Sequence, residues 1–130
     1  LDVIGKSSLL ADPPAGYTDA NGIATNLRAM FENGQINFGL TDDANARAEY
    51  HHYSKAIVLN PANINLGVCP LCDLPGTLFH EGVHAFYGDP VSIPRIENRA
   101  YDFQYELEIR LYNDKALVRP LTQPYNHRGR

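Results

Sequence analysis

Residues 77–88 read Thr77-Leu78-Phe79-His80-Glu81-Gly82-Val83-His84-Ala85-Phe86-Tyr87-Gly88. At their centre His80-Glu81-Gly82-Val83-His84 matches H-E-x-x-H. On a helix, residues four apart share a face, about one turn up. His80 and His84 can therefore aim two imidazoles at one metal ion, with Glu81 beside them. Zinc suits this set, because imidazole is a good ligand and an open coordination position leaves room for water. The metal lowers the pKa of that water, and the glutamate takes its proton.

The flanks of the motif predict a short, bounded helix. Phe79, Val83, Phe86 and Tyr87 recur at i, i+4, i+7 and i+8, the spacing of one apolar face. Pro75 suits a first turn, with Asp73 or Leu74 near the cap. Gly88 followed by Asp89-Pro90 is a stop signal.

Downstream, Arg95 to Tyr112 carries the longest helical pattern, with Ile96, Ala100, Phe103, Leu107 and Leu111 as its buried stripe. Two histidines and a water leave one protein ligand missing from a catalytic tetrahedral site. Glu97, in the first turn of this second helix, is the leading candidate; Asp102, Asp89, Glu106 and His127 are the alternatives. Glu97, Tyr101, Gln104 and Glu108 share one helical face.

Upstream, Ile23 to Phe31 has a helical pattern with Ile23, Leu27, Met30 and Phe31 on one face, ended by Asn33-Gly34. Gln35 to Leu40 alternates as a strand. Ala48 to Tyr53 and Lys55 to Asn60 read as two strands, or as one strand bent near Ser54, and Ala56-Ile57-Val58-Leu59 has the composition of a buried strand. Residues 1–21, with Asp12-Pro13-Pro14-Ala15-Gly16, are expected to form an irregular arm or linker from an upstream module. Residues 113–130 are expected to run as an extended tail.

A chain of 130 residues is one domain by size and can bury a core. Hydrophobic residues at 44 % and charged residues at 20 % fit a soluble globular protein. A net charge of −4 argues against nucleic acid as the main partner, and no apolar run is long enough to span a membrane. The start Leu1-Asp2-Val3 has neither methionine nor a signal-peptide pattern, which suggests a processed chain or a domain of something longer. Cys69-Pro70-Leu71-Cys72 is compatible with a local disulfide, a free thiol pair or a metal role; a disulfide would fit an oxidising compartment.

The motif and the helix behind it resemble the gluzincin class of zinc metallopeptidases. Glu97-Asn98-Arg99-Ala100-Tyr101-Asp102-Phe103-Gln104 looks like the E-x-x-A-x-x-F-x helix of compact bacterial members. The resemblance covers residues 75–112 and implies His80, His84 and Glu97 as zinc ligands and Glu81 as general base. It implies an α+β, zincin-like fold, with a small mixed or antiparallel sheet packed on the motif helix and a C-terminal helix carrying the third ligand. It implies a single metallopeptidase domain over 1–130 that hydrolyses peptide bonds, with an edge strand from 48–60 receiving the substrate. Tyr101 is the preferred oxyanion donor, ahead of Tyr105, His51, His52 and His127.

Compactness and a loose N-terminal arm are similar to metallopeptidase domains at the ends of bacterial secreted toxins and effectors. That likeness implies a secreted or system-delivered chain, a protein or peptide substrate, and an immunity or inhibitor protein as partner. Larger gluzincins place an aspartate four residues after the glutamate ligand, where this chain has Tyr101; the histidines' outer partner is then expected to be Asp102 or a backbone carbonyl. A zinc-binding interaction module without catalysis, a non-proteolytic zinc hydrolase and a metal-free interaction domain remain as alternatives.

Overall fold

A computed structural model describes residues 1–64 and 73–114. Cys69, Cys72, His127 and the tail beyond Asp114 lie outside the described residues. The elements run α1 (Asp2–Gly5), α2 (Ser8–Ala11), α3 (Ala20–Glu32), β1 (Ile36–Phe38), β2 (Ala48–His51), β3 (Ala56–Leu59), α4 (Asp73–Tyr87) and α5 (Pro94–Asn113). The class is α+β, with helices packed on a small mixed sheet.

The motif helix α4 is the centre of the packing and contacts α3, α5, β2 and β3. Leu78 through His84 are all buried, so the helix is enclosed on nearly every side. Its apolar side, Phe79 and Val83, meets Ala100, Phe103 and Leu107 of α5 and Leu27 of α3 in one core. The Phe79 and Phe103 rings sit 6.3 Å apart, edge to face, a favoured aromatic arrangement. Phe86 and Tyr87 depart from expectation. Phe86 is 38 % exposed, and the Tyr87 ring is half-buried with the Arg99 guanidinium 3.9 Å above it. They sit in the last turn, where Tyr87 still packs against the edge of the core.

Gly82 explains how α3 comes so close. A Cβ there would lie 2.6 Å from Leu27 Cδ1 and 2.7 Å from Leu27 Cγ. Leu27 is fully buried and cannot swing clear. Gly82→Ala is therefore expected to destabilise the fold by about 1–3 kcal/mol through overpacking, although alanine is the better helix former. A denaturant titration that finds the variant equal to or more stable than the parent would contradict this packing.

In α5 every stripe residue expected from the sequence is buried: Ile96, Ala100, Phe103, Leu107 and Leu111. In α3 the stripe is Ala20, Ile23, Leu27 and Met30. Phe31, on its rim, is 59 % exposed, against expectation. Gly34, at φ +73°, ends α3 and turns the chain into β1.

The sheet order is β1-β3-β2. β1 runs parallel to β3, with Ile36 opposite Ile57, and β2 runs antiparallel to it, with Ala48 opposite Leu59 and Tyr50 opposite Ile57. In β3 only Ile57 and Leu59 are fully buried, so its apolar run covers one face. The Asn60 amide donates to the Arg47 carbonyl, and the Ile57 amide donates to Gln35 on the β1 side. Antiparallel pairs alternate between bonded and non-bonded, so Ala48 and Tyr50 point their backbone groups away from β3. β2 is thus an edge strand, and that edge lies beside α4.

The first residues are not the irregular arm expected. α1 and α2 are short helices, and Ile4 and Leu9 are fully buried in the main core. The Ser7 hydroxyl accepts from the Leu9 amide at 3.0 Å and caps α2. Arg110 of α5 donates to the Ser8 carbonyl at 3.0 Å. Two apolar residues and a cap, too few for a periodic signal, are enough once α5 supplies a surface. The turn chemistry of 12–16 holds, with Gly16 at φ +89°.

Candidate metal centre

His80 and His84 project roughly a quarter turn around α4 from Phe79 and Val83, toward the first turns of α5. Pro94 opens α5 at its first position, and Glu97 follows one turn later. The Ser92 hydroxyl donates to Glu97 Oε2 at 2.9 Å, which holds the carboxylate over α4. The geometry is tight. His80 Nε2 is 3.1 Å from Glu97 Oε1, His84 Nε2 is 3.3 Å from Glu97 Oε2, and the two Nε2 atoms are 3.3 Å apart. His80 and His84 are buried and Glu97 half-buried, and this trio could hold a metal ion.

The other ring nitrogens fix which atoms face the centre. His84 Nδ1 is 2.9 Å from Asp89 Oδ2, and a carboxylate accepts, so Nδ1 donates. His80 Nδ1 is 2.9 Å from Gln104 Oε1; an amide oxygen also only accepts. Both rings therefore turn Nε2 inward, which suits metal ligation.

Asp89 reaches His84 because of the helix end. Gly88 has φ +66°; its amide bonds the Ala85 carbonyl and the Asp89 amide bonds the His84 carbonyl. That is the paired bonding of a Schellman motif, and it folds the residue after glycine back onto the last turn. Arg99 Nη2 then clamps Asp89 Oδ1 at 2.6 Å.

Glu81 is buried, 7 % exposed, on the flank facing β2. Burial pushes its carboxyl above the ordinary carboxylate range; the imidazoles of His80 and His84 and a hydrogen bond from the Tyr50 amide pull it back. That amide is one of the two groups β2 turns away from β3. Tyr101 meets His80 edge to face, ring centroids 4.4 Å apart. These groups line one cleft of about 870 Å³, whose far wall is Arg47, Ala48 and Tyr50 and whose rim includes Val91.

The sequence-based candidates separate clearly. His80, His84, Glu81, Glu97 and Tyr101 come together in the cleft. Asp102, expected as an outer partner of the histidines, does not fill that role: Gln104 and Asp89 do. Asp89 was a candidate ligand, and it stands behind His84 instead. His51 pairs with Glu49 at 3.1 Å, and His52 packs on Tyr53; neither they nor Tyr105 line the cleft. Ser92 and Arg99 carry no sequence signal for their roles. Gln104 does, seven residues from Glu97 on one helical face.

Without metal the trio stores charge. Burial alone would lower the His84 pKa, but the Glu97 hydrogen bond, the Glu81 charge and Asp89 raise it to about 9. Burial would raise Glu97, and the two histidines instead hold it well below the usual carboxylate range. A raised histidine contributes stability below its ordinary value near 6.5, lost as pH climbs to about 9. A depressed carboxylate contributes above about 4.5, lost on acidification. Both describe one ion pair. The metal-free protein is expected to be most stable between those limits and to lose roughly 3 kcal/mol by pH 9. Denaturant midpoints that stay level from pH 6 to 9 would count against that pair. No protein-family model, curated protein or solved structure matches the chain, so this centre is read from its own geometry.

Proposed function

We propose that this chain is a zinc-dependent endopeptidase of gluzincin-like, zincin-type architecture. The observation that carries the reading is the spacing of the three inward ligand atoms, 3.1–3.3 Å. Zinc bonds of about 2.0–2.1 Å at tetrahedral angles require ligand atoms about 3.3 Å apart. Two bare imidazole nitrogens and a carboxylate at that spacing repel one another unless a cation or a proton lies between them. The donor set, two histidines and one glutamate, is that of a catalytic rather than a structural zinc site.

When bound, zinc lowers the pKa of a water and polarises the substrate carbonyl. The chain's own residues do the rest. Ala48 on the edge of β2 offers its backbone N–H and C=O to an extended peptide, which aligns the scissile bond along the cleft. Glu81 takes the proton of the attacking water at its carboxylate and returns it to the leaving amine nitrogen. Its raised pKa suits this two-way traffic. The Tyr50 amide keeps the carboxylate turned toward the cleft. Tyr101 supplies a hydroxyl donor as charge builds on the carbonyl oxygen.

A toxin or effector role, with delivery by a secretion system and an immunity or inhibitor protein as partner, is the extension of this reading. It draws on compactness alone, since α1 and α2 pack into the core in place of the loose N-terminal arm expected. The direct test of the activity is digestion of a mixed peptide library by the purified chain, with zinc and after its removal. Cleavage that disappears with zinc and returns with it supports the proposal. Zinc uptake without cleavage of any peptide would leave a binding module, and cleavage of ester or amide probes alone would leave a different zinc hydrolase.

A further inference from the structure

Glu108 is the one fully buried carboxylate among the described residues, 0 % exposed, and the proposed chemistry does not use it. It lies on α5 between Leu107 and Leu111, both core residues. Removing a carboxylate from water costs several kcal/mol unless partners compensate, and Gln104 is one such partner. The fold also makes room for it. Gly76 on α4 faces it, and a Cβ at that position would collide with Glu108 Oε2. Glycine in the second turn of a helix is itself unfavourable. The gap left by Gly76 and the Glu108 carboxylate meet at one atom.

That atom leads to the metal centre. Gln104 Nε2 donates to Glu108 Oε2 at 3.1 Å, and Gln104 Oε1 accepts from His80 Nδ1 at 2.9 Å. A side-chain amide alone is ambiguous: either end can face the imidazole. An ionised carboxylate removes the ambiguity, because it only accepts. It draws the amide NH2 to itself and turns the oxygen toward His80. The ring must then carry its proton on Nδ1 and leave Nε2 bare. With the amide reversed, Nε2 would carry the proton and the ligand would be lost.

We propose that Glu108 is a positioning residue that sets the tautomer of His80 through Gln104. The inference deepens the proposed function and rests on His80 as a metal ligand. It gives the two histidines unlike supports. His84 is held by a carboxylate clamped by Arg99, and His80 by an amide oriented by a carboxylate. Outer partners of this kind change metal affinity by roughly 10–100-fold.

The test compares zinc affinity, by chelator competition, in the full chain, in Glu108→Gln, and in the exchange Glu108→Gln with Gln104→Glu. The single variant keeps shape but lets the amide at 104 reverse. The exchange puts the accept-only group next to His80, which again demands a proton on Nδ1. The single variant is expected to bind zinc about 10–100-fold more weakly, and the exchange to recover most of that loss. Ring-nitrogen spectra of the metal-free chains should show His80 protonated at Nδ1 in the parent, with a form bare at Nδ1 appearing in Glu108→Gln. A carboxylate needed only for folding would not be rescued by the exchange.

Unchanged affinity in Glu108→Gln, or an exchange as weak as the single variant, would overturn the proposal, as would a bare Nδ1 on His80 in the parent. If Glu108→Gln does not fold, the exchange decides alone: near-parental affinity supports the relay and weak binding by a folded exchange sinks it. If the parent binds no zinc, the proposed function fails, and the ring spectra still decide the relay.

Discussion

Glu81→Gln is expected to keep its zinc and to lose peptide cleavage by about 10²–10⁴-fold in kcat. The amide has the shape of the carboxylate and can still meet the Tyr50 amide with its oxygen, so the buried flank between α4 and β2 remains filled. What it cannot do is accept a proton from water and return it to the amine. Because the proton traffic occurs in the transition state, kcat should fall while KM moves little. Metal content near one per chain, together with lost turnover, would separate a general base from a structural acid. Undiminished cleavage would remove Glu81 from the mechanism. Lost zinc together with lost activity would instead make it part of the metal's support.

The second large effect concerns the third ligand. Glu97→Ala is expected to abolish stoichiometric zinc, a loss greater than the roughly 10–100-fold that follows removal of an outer partner. Asp89→Asn, which weakens the acceptor behind His84, should fall within that smaller range. Asp102→Ala should retain parental zinc, since Asp102 is not among the residues whose ligand atoms converge. Removing Glu97 also removes the largest influence that raises the His84 pKa. A titration of His84 in metal-free Glu97→Ala should therefore midpoint well below about 9. Zinc retained in Glu97→Ala but lost in Asp102→Ala would move the third ligand and undo the likeness to gluzincins.

Both expectations grow from features that are local in the chain. The i, i+4 spacing of His80 and His84 and the apolar residues around them need only helix geometry. Glu97, Tyr101 and Gln104 on one face of α5 need the same. The stripe from Ile96 to Leu111 is buried throughout because α5 is long enough for its period to be unambiguous. Short segments fared worse for the converse reason. Residues 2–11 hold two helices of four residues each, below the length at which periodicity or propensity speaks. They exist because Ile4 and Leu9 find the core. Phe86 and Phe31 have the right spacing for burial and sit at the edges of their stripes, where the depth of the neighbouring helix decides.

The sequence by itself determined the metal-ligand pattern, the helix that carries it, the second helix with its glutamate, and the existence of strands between 35 and 60. Tertiary structure alone decided what stands behind the ligands. Asp89 comes back to His84 because a glycine at positive φ reverses the chain, and Gln104 meets His80 because α4 and α5 pack closely, with Gly76 facing Glu108. It also decided that β2, rather than β3 or β1, turns its open edge to Glu81, since strand order follows from pairing and packing across the chain. Helical periodicity records which residues share a face. It does not record the distance or angle at which another face approaches, and hydrogen bonds of 2.9 Å depend on both.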